Sequence, residues 1–233
     1  MRPVERGPVP KDDSGDPRAF TRYGQARADL IARIGEYCSY CEMHLDASLA
    51  IEHAQPKGHH EDLELEWGNF LLACVNCNST KGARDINLDD YYWPDVDNTN
   101  LVIDYLEGGL VVPAQGLQDH PQRKARAERT IALTGLDKVP GNDPEARDRR
   151  WINRFEAWGR AATALRRLRQ RDTPELRDQI VDNALDKGFW SVWMAVFGEE
   201  KAMRERLLES FPNTASDCFD DELRPIPRPG GSL

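Results

Sequence analysis

The sequence predicts an α+β protein, and three features of its 233 residues support this fold class. Two Cys-x-x-Cys pairs enclose a segment that ends in a short apolar run typical of a strand. Residues 17–35 place apolar side chains at helical spacing, and helical periodicity returns from about residue 121. We therefore expect a small core that contains strands, an N-terminal helix and a mainly helical C-terminal region.

Local composition divides the chain into four predicted segments. Residues 1–16 are polar and are predicted to be disordered. Residues 17–120 contain the cysteine pairs and should form one domain, which residues 121–211 follow as a helical region. Residues 212–233 are rich in proline and glycine, so we expect a flexible tail.

The periodic stretches predict the remaining elements in order. Apolar runs on both sides of a Glu-Gly-Gly turn predict a β-hairpin over residues 101–112. The predicted helices of the C-terminal region cover residues 123–136, 145–170, 174–186 and 189–210.

Charge and hydropathy limit the functional class. The chain has a formal net charge of −9, and no stretch approaches the roughly 18 apolar residues of a membrane span. The N-terminal residues lack the apolar centre of a secretion signal, so a cytoplasmic protein without a membrane role is expected. Residues 36–90 are strongly acidic, whereas residues 121–177 form one basic stretch. Such charge blocks point to binding partners rather than to a fold.

The four paired cysteines are Cys38, Cys41, Cys74 and Cys77. Disulfides are disfavoured in a cytoplasmic chain, and paired Cys-x-x-Cys motifs are typical of a tetrahedral site with four thiolates. Because four cysteines leave no open coordination position, we predict a structural zinc ion. The alternative is four unrelated buried cysteines. The fifth cysteine, Cys218, is interpreted as an ordinary free thiol.

The segment between the pairs contains polar residues in a recognisable order. Glu52 and His53 follow a short apolar stretch, Asn69 precedes the apolar run, and Asn78 and Lys81 follow the second cysteine pair. With the cysteines and Pro56, this pattern over residues 36–84 resembles the HNH endonucleases, in their zinc-bearing form. The resemblance implies a ββα-metal core of the treble-clef type.

The resemblance also implies a role for each matching residue. His53 would be the general base that takes a proton from the attacking water. Glu52 and Asn78 would bind a catalytic divalent cation, Mg²⁺ or Mn²⁺, and Asn69 would brace the loop that carries the base. Lys81 would contact a phosphate of the substrate. Oxygen ligands suit such a hard cation, and an imidazole titrates near neutral pH.

Each role has a structural alternative. His53 could be an internal histidine without a catalytic role, Glu52 a surface charge, Asn78 a helix cap and Lys81 a solvated helix residue. Adjacent residues of a regular strand also point to opposite faces. A joint site therefore predicts that the chain leaves strand geometry at Glu52 and His53.

A longer pattern extends the resemblance. The IEH-x-x-PK run, the W-x-N-x-LLAC-x-x-CN-x-x-KG run and the later TIALTGLD run are similar to the HNH subunit of Septu-type, PtuB-like phage-defence systems and of retron-linked proteins. Such subunits act beside an ATPase subunit, which implies a PtuA-like partner. An acidic nuclease that needs a partner to reach DNA would fit this arrangement.

The function predicted from the sequence is therefore a metal-dependent HNH endonuclease that hydrolyses phosphodiester bonds in DNA. One alternative is a non-catalytic zinc module that binds nucleic acid or protein, and another is a toxin-like nuclease held by an inhibitor. The arginines of the basic stretch could neutralise DNA phosphates. They could equally pair with acidic groups of the protein itself or of a partner.

Overall fold

The computed structural model describes residues 1–45, 47–139 and 148–233. The α+β class is confirmed, with two antiparallel two-stranded sheets and several helices in these residues. The strands are β1 (Ala50–His53), β2 (Phe70–Ala73), β3 (Ile103–Leu106) and β4 (Leu110–Pro113). The helices are α1 (Arg27–Ile34), α2 (Val75–Lys81), α3 (Pro121–Thr134), α4 (Arg150–Gln170), α5 (Pro174–Lys187), α6 (Trp190–Val196) and α7 (Lys201–Ser210).

Strands β1 and β2 and helix α2 form the ββα unit that the sequence predicts. The two strands pair in antiparallel register, and all four residues of β2 are buried. Helix α2 begins directly after β2, where the Sγ atom of Cys74 accepts a hydrogen bond from the backbone N–H of Cys77 at 3.4 Å. It ends at Gly82, whose φ of 62° lies in the left-handed region that glycine adopts without steric cost.

Strands β3 and β4 form the predicted hairpin, which packs against α4. At its turn, Gly109 has a φ of 72°, and a Cβ atom there would lie 2.8 Å from the backbone nitrogen of Phe155. Arg154 donates a hydrogen bond from Nε to the carbonyl of Gly109 at 2.8 Å. The glycine therefore allows the close approach of hairpin and helix that this hydrogen bond requires.

Two clusters of buried apolar side chains form the interior. The first surrounds the cysteine pairs and the ββα unit and includes Ile131 of α3, and the second lies among α4 to α7. Helix α4 belongs to both, because Ala157 is in the first cluster and Ala161 in the second. The predicted division near residue 120 therefore does not coincide with a boundary between the two clusters.

Parts of both ends of the chain pack against the folded protein, where local composition predicts a disordered start and a flexible tail. Val4 is 1 % exposed and pairs with Thr214 in a short β-bridge, and Arg2 donates a hydrogen bond to the Thr214 hydroxyl at 2.9 Å. Phe219 and Leu233 are buried as well. The two ends of the chain cover each other, a long-range arrangement that local polarity does not reveal.

Two predicted helices differ in extent. The stretch 17–35 contains only a 3₁₀ turn, Tyr23–Ala26, followed by α1. The stretch 189–210 is broken into α6 and α7 around Gly198. The first residues of the helix predicted over 145–170 lie outside the described residues. In the described ranges no helix is long and apolar enough to cross a membrane.

The buried tail can be tested with two phenylalanines. Phe219 is 9 % exposed and its ring lies 6.0 Å from that of Trp190, whereas Phe155 is 50 % exposed. We expect Phe219→Ala to lower the free energy of unfolding by about 3 kcal/mol, because it removes a buried ring, and Phe155→Ala to lower it by less than about 1 kcal/mol. Urea denaturation measures both values, and equal losses would mean that the tail does not pack on the helices.

Candidate active site and metal centre

The four predicted zinc ligands form one buried cluster. The Sγ atoms of Cys38, Cys41, Cys74 and Cys77 all lie within 4.8 Å of one another, and those of Cys41 and Cys74 are 3.8 Å apart. Zn–S bonds of about 2.3 Å in a tetrahedron require sulfur atoms separated by about 3.8 Å. Both the donor set and its spacing therefore fit a structural zinc ion.

Cys218 is separate from this cluster. It is buried and forms no disulfide, and burial raises the pKa of its thiol to about 12. At neutral pH the thiol is therefore protonated and a poor nucleophile, which agrees with its interpretation as an ordinary thiol.

Glu52 lies in a buried ion pair. Its Oε1 atom is 2.9 Å from Nζ of Lys81, and the two side chains are 4 % and 2 % exposed. The hydroxyl of Tyr40 donates a longer hydrogen bond of 3.5 Å to the same oxygen. Burial raises the pKa of the Glu52 carboxyl, and the neighbouring Lys81 opposes this shift. The pair therefore links the carboxylate of β1 to helix α2.

His53 is the last residue of β1, and its imidazole lies between aromatic rings. The ring centroids of Tyr23 and Phe70 are 5.1 and 5.2 Å away, both in edge-to-face geometry. Nε2 is 2.9 Å from the carbonyl oxygen of Glu64. Because a carbonyl oxygen only accepts, Nε2 carries the hydrogen, and Nδ1 has the free lone pair. Burial lowers the pKa of His53, so the neutral ring dominates at neutral pH.

Asn69 holds the loop that follows β1. Its Oδ1 atom accepts a hydrogen bond from the backbone N–H of Gln55 at 2.7 Å, and Nδ2 donates to the carbonyls of Gln55 and Leu63 at 2.9 and 3.2 Å. Asn69 is 6 % exposed. One buried amide thus fastens both ends of the loop behind His53, which is the geometry expected of a bracing residue.

A cleft of about 510 Å³ brings the candidate residues together. Glu52, His53 and Asn78 all line it, with Lys57 at its outer side. Within the described residues the Asn78 side chain makes no hydrogen bond, so its carbonyl oxygen is available to a ligand. Strand β1 and helix α2 therefore contribute a carboxylate, an imidazole and an amide to one cavity.

The expected break in strand geometry at Glu52 and His53 is not observed. Both residues keep regular antiparallel pairing, with Leu71 and Phe70 respectively, and their side chains diverge. Glu52 reaches towards α2, whereas His53 reaches towards Tyr23 and the loop. Both residues nevertheless line the same cleft.

The environment of Lys81 differs from that of a substrate-binding lysine. Its ammonium bonds the Glu52 carboxylate and donates to the backbone carbonyl of His53 at 2.8 Å. Lys81 is 2 % exposed and has two internal partners, so it holds Glu52 and the end of β1 in place. It also lines the cleft, and its contact with a substrate phosphate stays a prediction. Tyr23 and Tyr40 contact His53 and Glu52, but no local sequence pattern marks them as site residues, because aromatic residues are common in protein cores.

The arginines of the basic stretch serve different purposes. Arg150 and Arg154 are buried, and Arg169 pairs with Glu200 at 2.9 Å. Arg160 and Arg166 are exposed and, in the described part of the chain, form no ion pair. Part of the positive charge is therefore used inside the protein, and only the remainder faces outward.

The comparisons with known proteins agree with this geometry. Residues 38–84 match the model of the HNH endonuclease family. This segment contains both cysteine pairs and all the candidate site residues.

A more particular similarity is to the Septu protein PtuB of Bacillus thuringiensis. The two proteins are 36 % identical over 71 residues, which is 29 % of this chain and 28 % of that relative. The similarity to PtuB therefore covers less than a third of either protein.

The buried ion pair can be tested by a double-mutant cycle. Lys81→Met should lower the free energy of unfolding by about 3 kcal/mol, because Glu52 is left charged and unpaired in the interior. For the double variant Lys81→Met/Glu52→Gln, the loss in free energy of unfolding should be clearly smaller than the sum of the losses measured for the two single variants. Lys201→Met, in an exposed pair with Glu222, is the control and should cost less than about 1 kcal/mol. Urea denaturation measures these free energies. If the losses of the two single variants add up to the loss of the double variant, Lys81 and Glu52 do not stabilise each other.

Proposed function

We propose that this protein is a metal-dependent endonuclease that hydrolyses phosphodiester bonds in DNA. The observation that supports the proposal most directly is the cleft in which Glu52, His53 and Asn78 meet beside the four-cysteine cluster. The HNH family match over residues 38–84 covers all three residues. A non-catalytic zinc module would not need a carboxylate, a neutral imidazole and a free amide in one cavity.

His53 has the properties of a general base. Its free Nδ1 can take a proton from a water molecule, while the hydrogen bond from Nε2 to the Glu64 carbonyl stabilises the imidazolium that forms. The lowered pKa keeps the ring neutral before the reaction. Tyr23, Phe70 and the loop braced by Asn69 hold the ring in place, so that little reorganisation is needed during proton transfer.

Glu52 and Asn78 are suited to hold a divalent cation such as Mg²⁺ or Mn²⁺. Carboxylate and amide oxygens are ligands that these hard cations prefer, and two protein ligands leave positions for water and phosphate. When bound, such a cation would stabilise the negative charge that develops on the phosphate oxygens. Lys81 keeps the Glu52 carboxylate oriented towards α2, on which Asn78 lies.

The biological setting is also a proposal. The similarity to PtuB supports a role in phage defence, beside an ATPase subunit that brings the nuclease onto DNA in the cytoplasm. The net charge of −9 supports the need for such a subunit, because an acidic protein gains little from non-specific attraction to a polyanion.

Plasmid nicking tests the catalytic role of His53. His53→Ala should lower the rate of nicking with Mg²⁺ or Mn²⁺ by about 10²-fold or more, because the general base is lost. Zinc content and the urea midpoint are measured on the same preparation, to separate catalysis from folding. His59→Ala is the control, since His59 is exposed in the same loop and should leave nicking unchanged. Full activity of the His53 variant would refute the mechanism.

A metal titration tests Asn78. Asn78→Ala should raise the Mn²⁺ concentration for half-maximal nicking by about tenfold, because one of two protein ligands is removed. The neighbouring Ser79→Ala, which also alters the cleft wall, should leave that concentration unchanged. If both variants titrate like the unsubstituted protein, Asn78 does not bind the cation.

A further inference from the structure

A second cleft, which we call the arginine groove, adjoins the candidate active site. It has a volume of about 600 Å³, and its walls include Arg22, Tyr23, Arg27 and Glu64. Tyr23 also lines the active-site cleft, and its ring lies 5.1 Å from that of His53. A chain that leaves the active-site cleft past Tyr23 therefore enters the arginine groove directly.

This groove carries positive charge on a protein whose formal net charge is −9. Arg22 and Arg27 are exposed, and among the described residues neither guanidinium takes part in an ion pair. The carboxylate of Glu64 is already paired, with Nζ of Lys57 at 3.2 Å. Two guanidinium charges are thus available to a ligand, and the carboxylate in the same wall does not neutralise them.

We propose that the arginine groove binds the phosphate backbone of the DNA strand next to the bond that is cut. This inference rests on the proposed function and names where the substrate lies. A guanidinium offers planar, paired N–H donors that match the oxygens of a phosphate, and two arginines on one groove can hold consecutive phosphates. The shared wall at Tyr23 would align the strand with His53.

The groove is a better candidate than the basic stretch on α4. Arg160 and Arg166 are equally exposed, but they lie on the helix that packs into the second apolar cluster and do not line the active-site cleft. They therefore provide a matched control with the same charge and a different location.

Binding is measured by fluorescence anisotropy of a labelled 24-base-pair DNA duplex (a chosen probe length of about two helical turns), without added Mg²⁺ or Mn²⁺. Arg22→Gln/Arg27→Gln should raise the Kd by about tenfold and lower the slope of log K against log salt by about 2. Arg160→Gln/Arg166→Gln should leave both quantities unchanged.

The proposal is overturned if the groove variant binds like the unsubstituted protein, if the control variant loses as much affinity, or if the unsubstituted chain does not bind the duplex. Cleavage is assayed separately with Mn²⁺. Binding that depends on the groove without any cleavage would count against the nuclease function and leave the groove as a DNA site.

An independent observation concerns the zinc centre. Nη1 of Arg150, at the start of α4, lies 2.9 Å from the Sγ atom of Cys77, and the arginine is 2 % exposed. The same guanidinium donates to the carbonyl of Thr134 at 2.7 Å and to both carboxylate oxygens of Asp148. Asn76 of α2 donates to Asp148 in turn, at 3.3 Å.

We infer that Arg150 is a positioning residue that stabilises the metal-bound form of the cysteine cluster. Four thiolates around Zn²⁺ have a net charge of −2, and a buried charge of this size needs compensation. The guanidinium supplies a positive charge and an N–H donor directly at one sulfur atom. Groups that hydrogen-bond to metal ligands commonly change metal affinity by about 10- to 100-fold.

Arg154 is a matched control for Arg150. It lies one turn along the same helix, is 1 % exposed and donates to the carbonyls of Gly109 and Leu136, and among the described residues it makes no hydrogen bond to a cysteine. Both Arg150→Met and Arg154→Met remove a buried guanidinium, but only the first removes the bond to sulfur, together with the ion pair to Asp148. Arg150→Lys can keep a positive charge beside Asp148 and therefore separates these two effects.

The test is the rate at which a chromogenic chelator takes zinc from the full-length protein. Arg150→Met should release zinc about tenfold faster than the unsubstituted chain. The release rate of Arg154→Met should stay within about twofold of the rate of the unsubstituted chain. Arg150→Lys keeps the charge and loses the planar set of N–H donors, so its release rate should lie between those of Arg150→Met and Arg154→Met. It replaces the methionine variant in the test if that variant does not fold. Equal rates for the Arg150 and Arg154 variants, or an Arg150→Lys rate equal to that of the unsubstituted chain, would overturn the inference.

Discussion

The meeting of four cysteine side chains in one buried cluster is the constraint on which the ββα unit depends. Two pairs with 32 residues between them must bring their sulfur atoms to within 4.8 Å of one another. Burial and the repulsion between like charges oppose this unless a cation binds. Metal binding of this kind supplies folding free energy. Because Cys74 also caps α2, the cluster sets the position of that helix against β1.

The position of α2 in turn assembles the candidate site. Lys81 reaches Glu52 and the carbonyl of His53 only because the helix packs across the end of the strand. The same placement puts Asn78 in the wall of the cleft. A buried lysine between strand and helix is costly unless it is fully paired, so its pairing specifies one relative orientation of the two elements.

The C-terminal helices take part in this core rather than forming an independent appendage. Helix α4 reaches the cysteine cluster through Arg150 and the β3–β4 hairpin through Arg154. The terminal segments close the structure at another point, since Asn98 donates hydrogen bonds to the carbonyls of Cys218 and Ile226 at 2.6 and 2.8 Å. A substitution far from the cleft in sequence can therefore affect the cysteine cluster.

The sequence by itself determined the α+β class, the four cysteine ligands, the ββα unit and the candidates Glu52, His53, Asn69 and Asn78, because metal-ligand spacing and strand–helix order are local patterns. Tertiary structure decided what local patterns do not encode. Lys81 looked like a solvated or phosphate-binding residue, yet it is internal because Glu52 lies opposite it. The terminal segments looked disordered from their composition, yet Val4 and Phe219 are buried, and Val4 pairs with Thr214 near the other end of the chain. Burial and charge pairing between distant residues arise only when the chain has folded.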